Sequence, residues 1–227
     1  MSELPAIPVP RAPPVSSALE AELGQLVPVR TRQPLRQLAM LAIASLIYSA
    51  VLVYVLAMRT DLDDLPVSGL AAVAAAWLFG FLVPCYLALV PRAGTMSPRL
   101  ALLIAVVVVA SIGFVMLGLV VHPMSPSLSV VYGSEHFGRG HTCLEVGLAT
   151  ALLPVIVGAV FLRGALPVGA RWVGAALGAG GGCLGGLVLH LHCNVADGLH
   201  VGLVHGGVVV LSALLSAAIV PRATDRR

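Results

Sequence analysis

The sequence predicts an all-α polytopic membrane protein of six transmembrane helices with both termini in the cytoplasm. Three observations carry that prediction. First, 59% of the 227 residues are hydrophobic and only 10% are charged, against about a quarter charged in soluble domains. Second, several apolar runs exceed the ~18 residues needed to cross ~30 Å of hydrocarbon at ~1.5 Å per residue. Third, all 13 basic residues are arginines, and only Arg59 and Arg139 fall on the side of the runs opposite the termini. An excess of arginine marks the cytoplasmic face. The net charge of +3 gives no reason to expect nucleic-acid binding.

Taken in order, residues 1–15 carry Pro5, Pro8, Pro10, Pro13 and Pro14, a density that excludes a helix and predicts an extended tail. No apolar stretch stands at the extreme N-terminus, so no cleavable signal peptide is expected. Ser17 and Glu20 then have capping-box spacing. Leu19, Leu23 and Leu26 fall at i, i+4 and i+7, the stripe of a short amphipathic helix. A helix of ~10 residues is marginal alone and needs a partner or the bilayer surface. Glu20 and Glu22 disfavour an anionic lipid surface, which points to a protein partner.

The six spans are expected at about 38–58, 69–90, 100–121, 142–162, 172–189 and 200–220. The first connecting loop carries Asp61, Asp63 and Asp64. The longest, from His122 to His141, contains Pro123, Pro126, Gly133, Gly138 and Gly140, which break any helix. The chain thus divides into a cytoplasmic tail, 1–37, a six-helix membrane domain, 38–221, and a short tail, 222–227. In the fifth span Gly174, Gly178, Gly182 and Gly186 repeat at spacing four, with Gly181 and Gly185 beside them. Small residues at that spacing let helix backbones approach closely, here within one chain rather than across a dimer.

The polar chemistry collects between residues 190 and 205. His190, His192, Cys193, Asp197, His200 and His205 lie within sixteen residues flanked by hydrocarbon-length runs. Such groups beside lipid pair, face a protein interior or have a task. Cys143 and Cys193 both fall at the outer ends of spans, on the oxidising side. They are candidates for a disulfide, a two-thiol redox sensor or half of a metal site. His141 and Glu145 share a face at i, i+4, and Asp197 with His200 at i, i+3. With His190, His192, Cys193 and His205 they make a candidate ligand set for zinc or copper. Against it stands the plainer reading of solvated caps and polar plugs, with Glu145 and His205 hydrogen-bonded across two spans. Cys85 and Cys183 read as small buried hydrophobes. No catalytic constellation stands out, so no enzyme is expected. Span interiors nearly free of ionisable groups argue against a pump.

Several segments together resemble the NrsF-type family of six-span bacterial anti-sigma factors. They are Leu26-Val-Pro-Val-Arg30 with Leu35-Arg36, Arg59-Thr-Asp-Leu, Cys143-Leu, Arg163-Gly-Ala-Leu-Pro, the glycine-rich fifth span, and His192-Cys193 with Asp197. The likeness covers about residues 17–220. It implies an inner-membrane protein whose N-terminus binds an extracytoplasmic-function (ECF) sigma factor. Leu19, Glu20, Glu22, Leu23 and Leu26 would form the sigma-binding face. It also implies a sensing role for Cys143 and Cys193. Release would follow an envelope, photo-oxidative (light or singlet oxygen) or metal signal, with conformational change or a protease as the agent. The family commonly has an aromatic residue and then Trp-Tyr or Trp-His early in span six. Here the run is Leu199-His-Val-Gly-Leu-Val-His205, richer in histidine, and the departure bears on the stimulus. The expectation from another class is a small metal or solute permease that uses the His/Cys patch as an entry site. A haem-binding redox protein is a third.

Overall fold

A computed structural model describes residues 16–17, 21, 24, 32–90, 99–120, 140–164, 169–195 and 198–224. The chain divides into two units, Met1–Arg32 and Gln33–Arg227. In the first, Ser17, Ala21 and Gly24 are helical and exposed. Leu19, Glu20, Glu22, Leu23 and Leu26 lie outside the described residues, as do Asp197 and the loop 121–139.

The second unit contains six helices long and apolar enough to span a membrane. They are α1 (Pro34–Leu56), α2 (Val67–Leu89), α3 (Leu100–Val120), α4 (Gly140–Leu162), α5 (Ala170–His192) and α6 (His200–Thr224), the last beginning with a π-helical turn, His200–His205. No strand occurs among the described residues. The helices match the expected spans to within about four residues at each end: α1, α2, α4 and α5 start earlier, α5 and α6 run on further, and α1 to α3 stop one or two residues short. Pro34 stands in the first turn of α1, where its missing N–H and fixed φ suit a helix start. The last turn of α5 continues through His190 and His192 because their carbonyl region is held from outside, as shown below. Pro84 and Pro154 lie inside α2 and α4, positions tolerated where neighbouring helices re-satisfy the freed backbone.

The burial pattern is compatible with a bundle in lipid. On α1 the large side chains Ile43, Ile47, Val51 and Tyr54 point outward, while Leu41, Ser45 and Ser49 face in. Ser49 satisfies its hydroxyl on the Ser45 carbonyl at 2.9 Å, and the Tyr48 hydroxyl reaches the Ala149 carbonyl of α4 at 3.3 Å. Polarity is turned inward, the arrangement compatible with surroundings as apolar as leucine.

Helix α5 is the axis. Of its most apolar window 89% is buried, against 17% for α1, and it touches all five other spans. Its seven glycines (174, 178, 180, 181, 182, 185 and 186) explain how. A Cβ on Gly174 would stand 2.6 Å from the Ser216 carbonyl oxygen, and one on Gly182 2.5 Å from the Cα of Val209. Gly178 faces the Ser212 carbonyl more closely still. These three seat α6. Gly181 and Gly185 seat α4 at Ala151 and Gly147, and Gly180 seats α2 at Phe81 and Cys85. Gly186, the fourth of the predicted stripe, meets the Trp77 ring of α2 instead. Each step of four residues advances about 40° around a helix, so by Gly186 the stripe has turned about 120° from Gly174. Cys85 and Cys183 are wholly buried in this core.

Candidate functional site

One end of the bundle gathers the polar residues, and it is built from three helix ends and a loop. The loop after α1 folds over the C-terminus of α5. Arg59, 6% exposed, donates its backbone N–H to the Leu191 carbonyl at 3.0 Å and its Nη1 to the His190 carbonyl at 3.3 Å. A cation at the negative end of a helix, bonded to carbonyls without a helical partner, is a favourable C-terminal cap. Asp61 grips the same guanidinium through two bonds of 2.6 and 2.8 Å. The Arg59 guanidinium thereby holds the Asp61 carboxyl below the usual carboxylate range. His192 bonds the Ala57 carbonyl through Nδ1 at 2.8 Å, and His190 approaches the Leu70 carbonyl through Nε2 at 3.3 Å. His192 therefore fastens α5 to the end of α1, and His190 to the first turn of α2.

Beside this clamp lies a compact cluster. Cys143, His200, His205 and Cys193 each offer one atom to a group whose members all lie within 4.8 Å of one another. Cys143 comes from the first turn of α4, and Cys193 is the residue that ends α5. Their Sγ atoms are 3.7 Å apart, with Cys143 donating. Both are free thiols. His200 Nε2 lies 3.5 Å from Cys193 Sγ. The two imidazoles meet edge to face at 5.1 Å. Cys193, Cys143 donating to it and His200 beside it, is the thiol of the pair held below its ordinary pKa. A cavity of about 30 Å³, room for a water or two, touches Arg59, His190, Cys193 and His205 above the stacked rings of Trp77 and Phe114.

The π-turn is what lets one helix supply both histidines. At 3.6 residues per turn, positions i and i+5 point about 140° apart, and an α-helix would turn one of the two away. An i→i+5 turn stacks them, and the bond from the Gly206 N–H to the Val201 carbonyl is of that kind. The wider backbone fits because α3 offers Gly118 against Gly202, where an added Cβ would stand 2.5 Å from the Gly202 nitrogen.

Of the ligand candidates read from sequence, the fold brings together Cys193, His200 and His205, and it adds Cys143 from the redox pair. His141 and Glu145 are exposed on α4 and are not in the cluster. His205 is 3% exposed and stands with the cysteines rather than with Glu145. Arg59 and Asp61 stood in the sequence as loop residues within the Arg59-Thr-Asp-Leu segment, with no bonding role assigned to them. Their signal was the Arg-x-Asp spacing in an otherwise acidic turn, which allows one guanidinium to be held by a neighbouring carboxylate.

Residues 24–224 match the family model described as NrsF, negative regulator of sigma F. No curated protein and no solved structure matches the chain.

Proposed function

Because the chain belongs to the NrsF family, described as negative regulators of sigma F, we propose that it is an anti-sigma factor of the bacterial inner membrane, and specifically one that sequesters an ECF sigma factor. The family match over residues 24–224 carries this reading. The six apolar helices are compatible with a multi-pass membrane protein, and the arginine distribution supports a cytoplasmic location for both termini. The segment before α1 then faces the sigma factor. Leu19, Leu23 and Leu26 form the buried stripe of a helix that orders on binding, with Glu20 and Glu22 toward basic sigma surface. At the opposite face, the Cys/His end of the bundle receives an envelope, photo-oxidative or metal signal. The signal acts by shifting the balance between two helix arrangements or by exposing the protein to a protease.

The test uses the full-length chain in detergent as bait for lysate of its host, with retained proteins identified by mass spectrometry. A single sigma factor is expected on the native chain and none on Leu19→Glu/Leu23→Glu, with membrane insertion of the variant unchanged. Retention of no sigma factor by the native chain would overturn the reading in favour of the permease. Equal retention by the variant would remove the leucine stripe from it.

A further inference from the structure

We propose that Cys143, Cys193, His200 and His205 form a four-ligand tetrahedral site for one thiophilic divalent ion of the zinc type. The distances are those such an ion requires. Two thiolates each about 2.3 Å from a tetrahedral centre stand about 3.8 Å apart, and a thiolate and an imidazole about 3.5 Å. The two measured edges are 3.7 Å, Cys143 to Cys193, and 3.5 Å, Cys193 to His200. The longest edge is within 4.8 Å, so closing the site asks for movements of about 1 Å toward an ion that binds imidazole nitrogen at about 2.0 Å.

A second observation concerns a member of the same cluster. His205 is 3% exposed, and its Nε2 is buried with no hydrogen-bond partner among the described residues. Buried polar atoms are nearly always satisfied, so this ring sits where a partner is called for that the described residues do not supply.

Charge selects the ion. Binding replaces two thiol protons, which pass to solvent, and leaves two thiolates and two neutral imidazoles. A divalent cation makes that set neutral, whereas a monovalent one leaves a net negative charge at the edge of hydrocarbon, where charge is costly. Arg59 does not alter the sum, because Asp61 neutralises it at 2.6 Å. Calcium and magnesium want oxygen ligands, and among the described residues no carboxylate belongs to the cluster, Glu145 of α4 standing outside it. Cys143, half-buried, is the ligand past which an ion enters.

The experiment is cobalt substitution of the full-length protein, purified in detergent under reducing conditions with a tag free of histidine. One Co2+ per chain is expected, with the visible absorption of a tetrahedral site and near-ultraviolet thiolate-to-cobalt charge transfer, both removed by one equivalent of Zn2+. Loss of any one ligand (Cys143→Ser, Cys193→Ser, His200→Ala, His205→Ala) should weaken binding by more than the roughly 10–100-fold that a second-shell change costs. His141→Ala, at a residue exposed on α4 and outside the cluster, should leave it unchanged. His205→Cys keeps four ligands and guards against a variant that merely misfolds. It should retain the tetrahedral spectrum with charge transfer raised about 1.5-fold, as thiolates go from two to three of the four ligands. The proposal is overturned by a six-coordinate cobalt spectrum in the native protein, or by undiminished binding in Cys143→Ser/Cys193→Ser. Neither readout involves a sigma factor, so the metal site and the anti-sigma reading fail separately.

Discussion

The two halves of α6 are packed on opposite principles. From Gly206 to Thr224 the helix is regular and lies against a seam from which side chains have been removed. Ser212, Ser216 and Val209 rest on Gly178, Gly174 and Gly182 of α5. From His200 to His205 the backbone is widened instead, its main neighbour is α3, and it carries polar rings toward two thiols. Where the bundle needs only cohesion, close approach supplies dispersion contacts that lipid cannot better. Where polar groups from three elements must converge, backbone regularity gives way, as π-turns do at functional sites.

The comparison can be broken most severely at the seam. Gly178→Leu places a branched side chain against the Ser212 carbonyl. It should lower stability by ~3 kcal/mol, the upper end of overpacking effects, or more. Thermal unfolding in detergent reads this out. Gly113→Ala, with nothing near its Cβ position, is the matched control and should be neutral or stabilising by up to about 1 kcal/mol. A mild Gly178→Leu would mean that the seam is loose.

Next in size is the clamp over the polar end. Arg59→Leu keeps the backbone bond to Leu191 but strands the His190 carbonyl and the Asp61 carboxylate, at a cost of about 1.5–3 kcal/mol for lost charged hydrogen bonds. Hydrogen exchange should rise at the last turn of α5 and not at the α5–α6 seam. A uniform rise along α5 would show the two ends to be one cooperative unit.

A smaller effect is expected from acid. Asp61 has a lowered folded-state pKa because of Arg59. Its contribution is therefore complete above the ordinary aspartate value of about 3.9 and is lost as pH falls through the lower folded value. Melting temperature measured from pH 7 to pH 3 should show an acid limb that Asp61→Asn flattens. An identical limb in that variant would assign the acid sensitivity elsewhere.

The smallest change sharpens the π-turn itself. Leu203 is 45% exposed within it. Its deletion leaves the two histidines at i, i+4, which an α-helix also stacks. Stability should stay within about 1 kcal/mol of the parent, with the Gly174–Gly182 seam intact by cross-linking. A collapse on deletion would show that packing against Gly118, rather than the histidines, demands the extra residue.

Much of this was legible in the chain. The six spans are local sums over ~20 apolar residues, so each can be read without its neighbours. The burial of Cys85 and Cys183 followed from their place within such runs. The glycine repeat announced close packing, though not that Gly186 would meet Trp77. The site was legible as composition: His190, His192, Cys193, His200 and His205 stood out together. Their roles were not, because His190 and His192 turned to the Leu70 and Ala57 carbonyls, and these lie more than a hundred residues away along the chain.

Sequence by itself determined the six apolar helices, the small-residue axis and the pool of polar groups, since transfer to hydrocarbon and close backbone approach depend on residue type at short spacing. Only the tertiary structure decided that Cys143 joins Cys193, that a π-turn brings His200 and His205 to them, and that Arg59 caps α5. Each of those is a distance across separate helices or an angle about one helix, and both are set by how neighbours pack rather than by the identity of the residues in between.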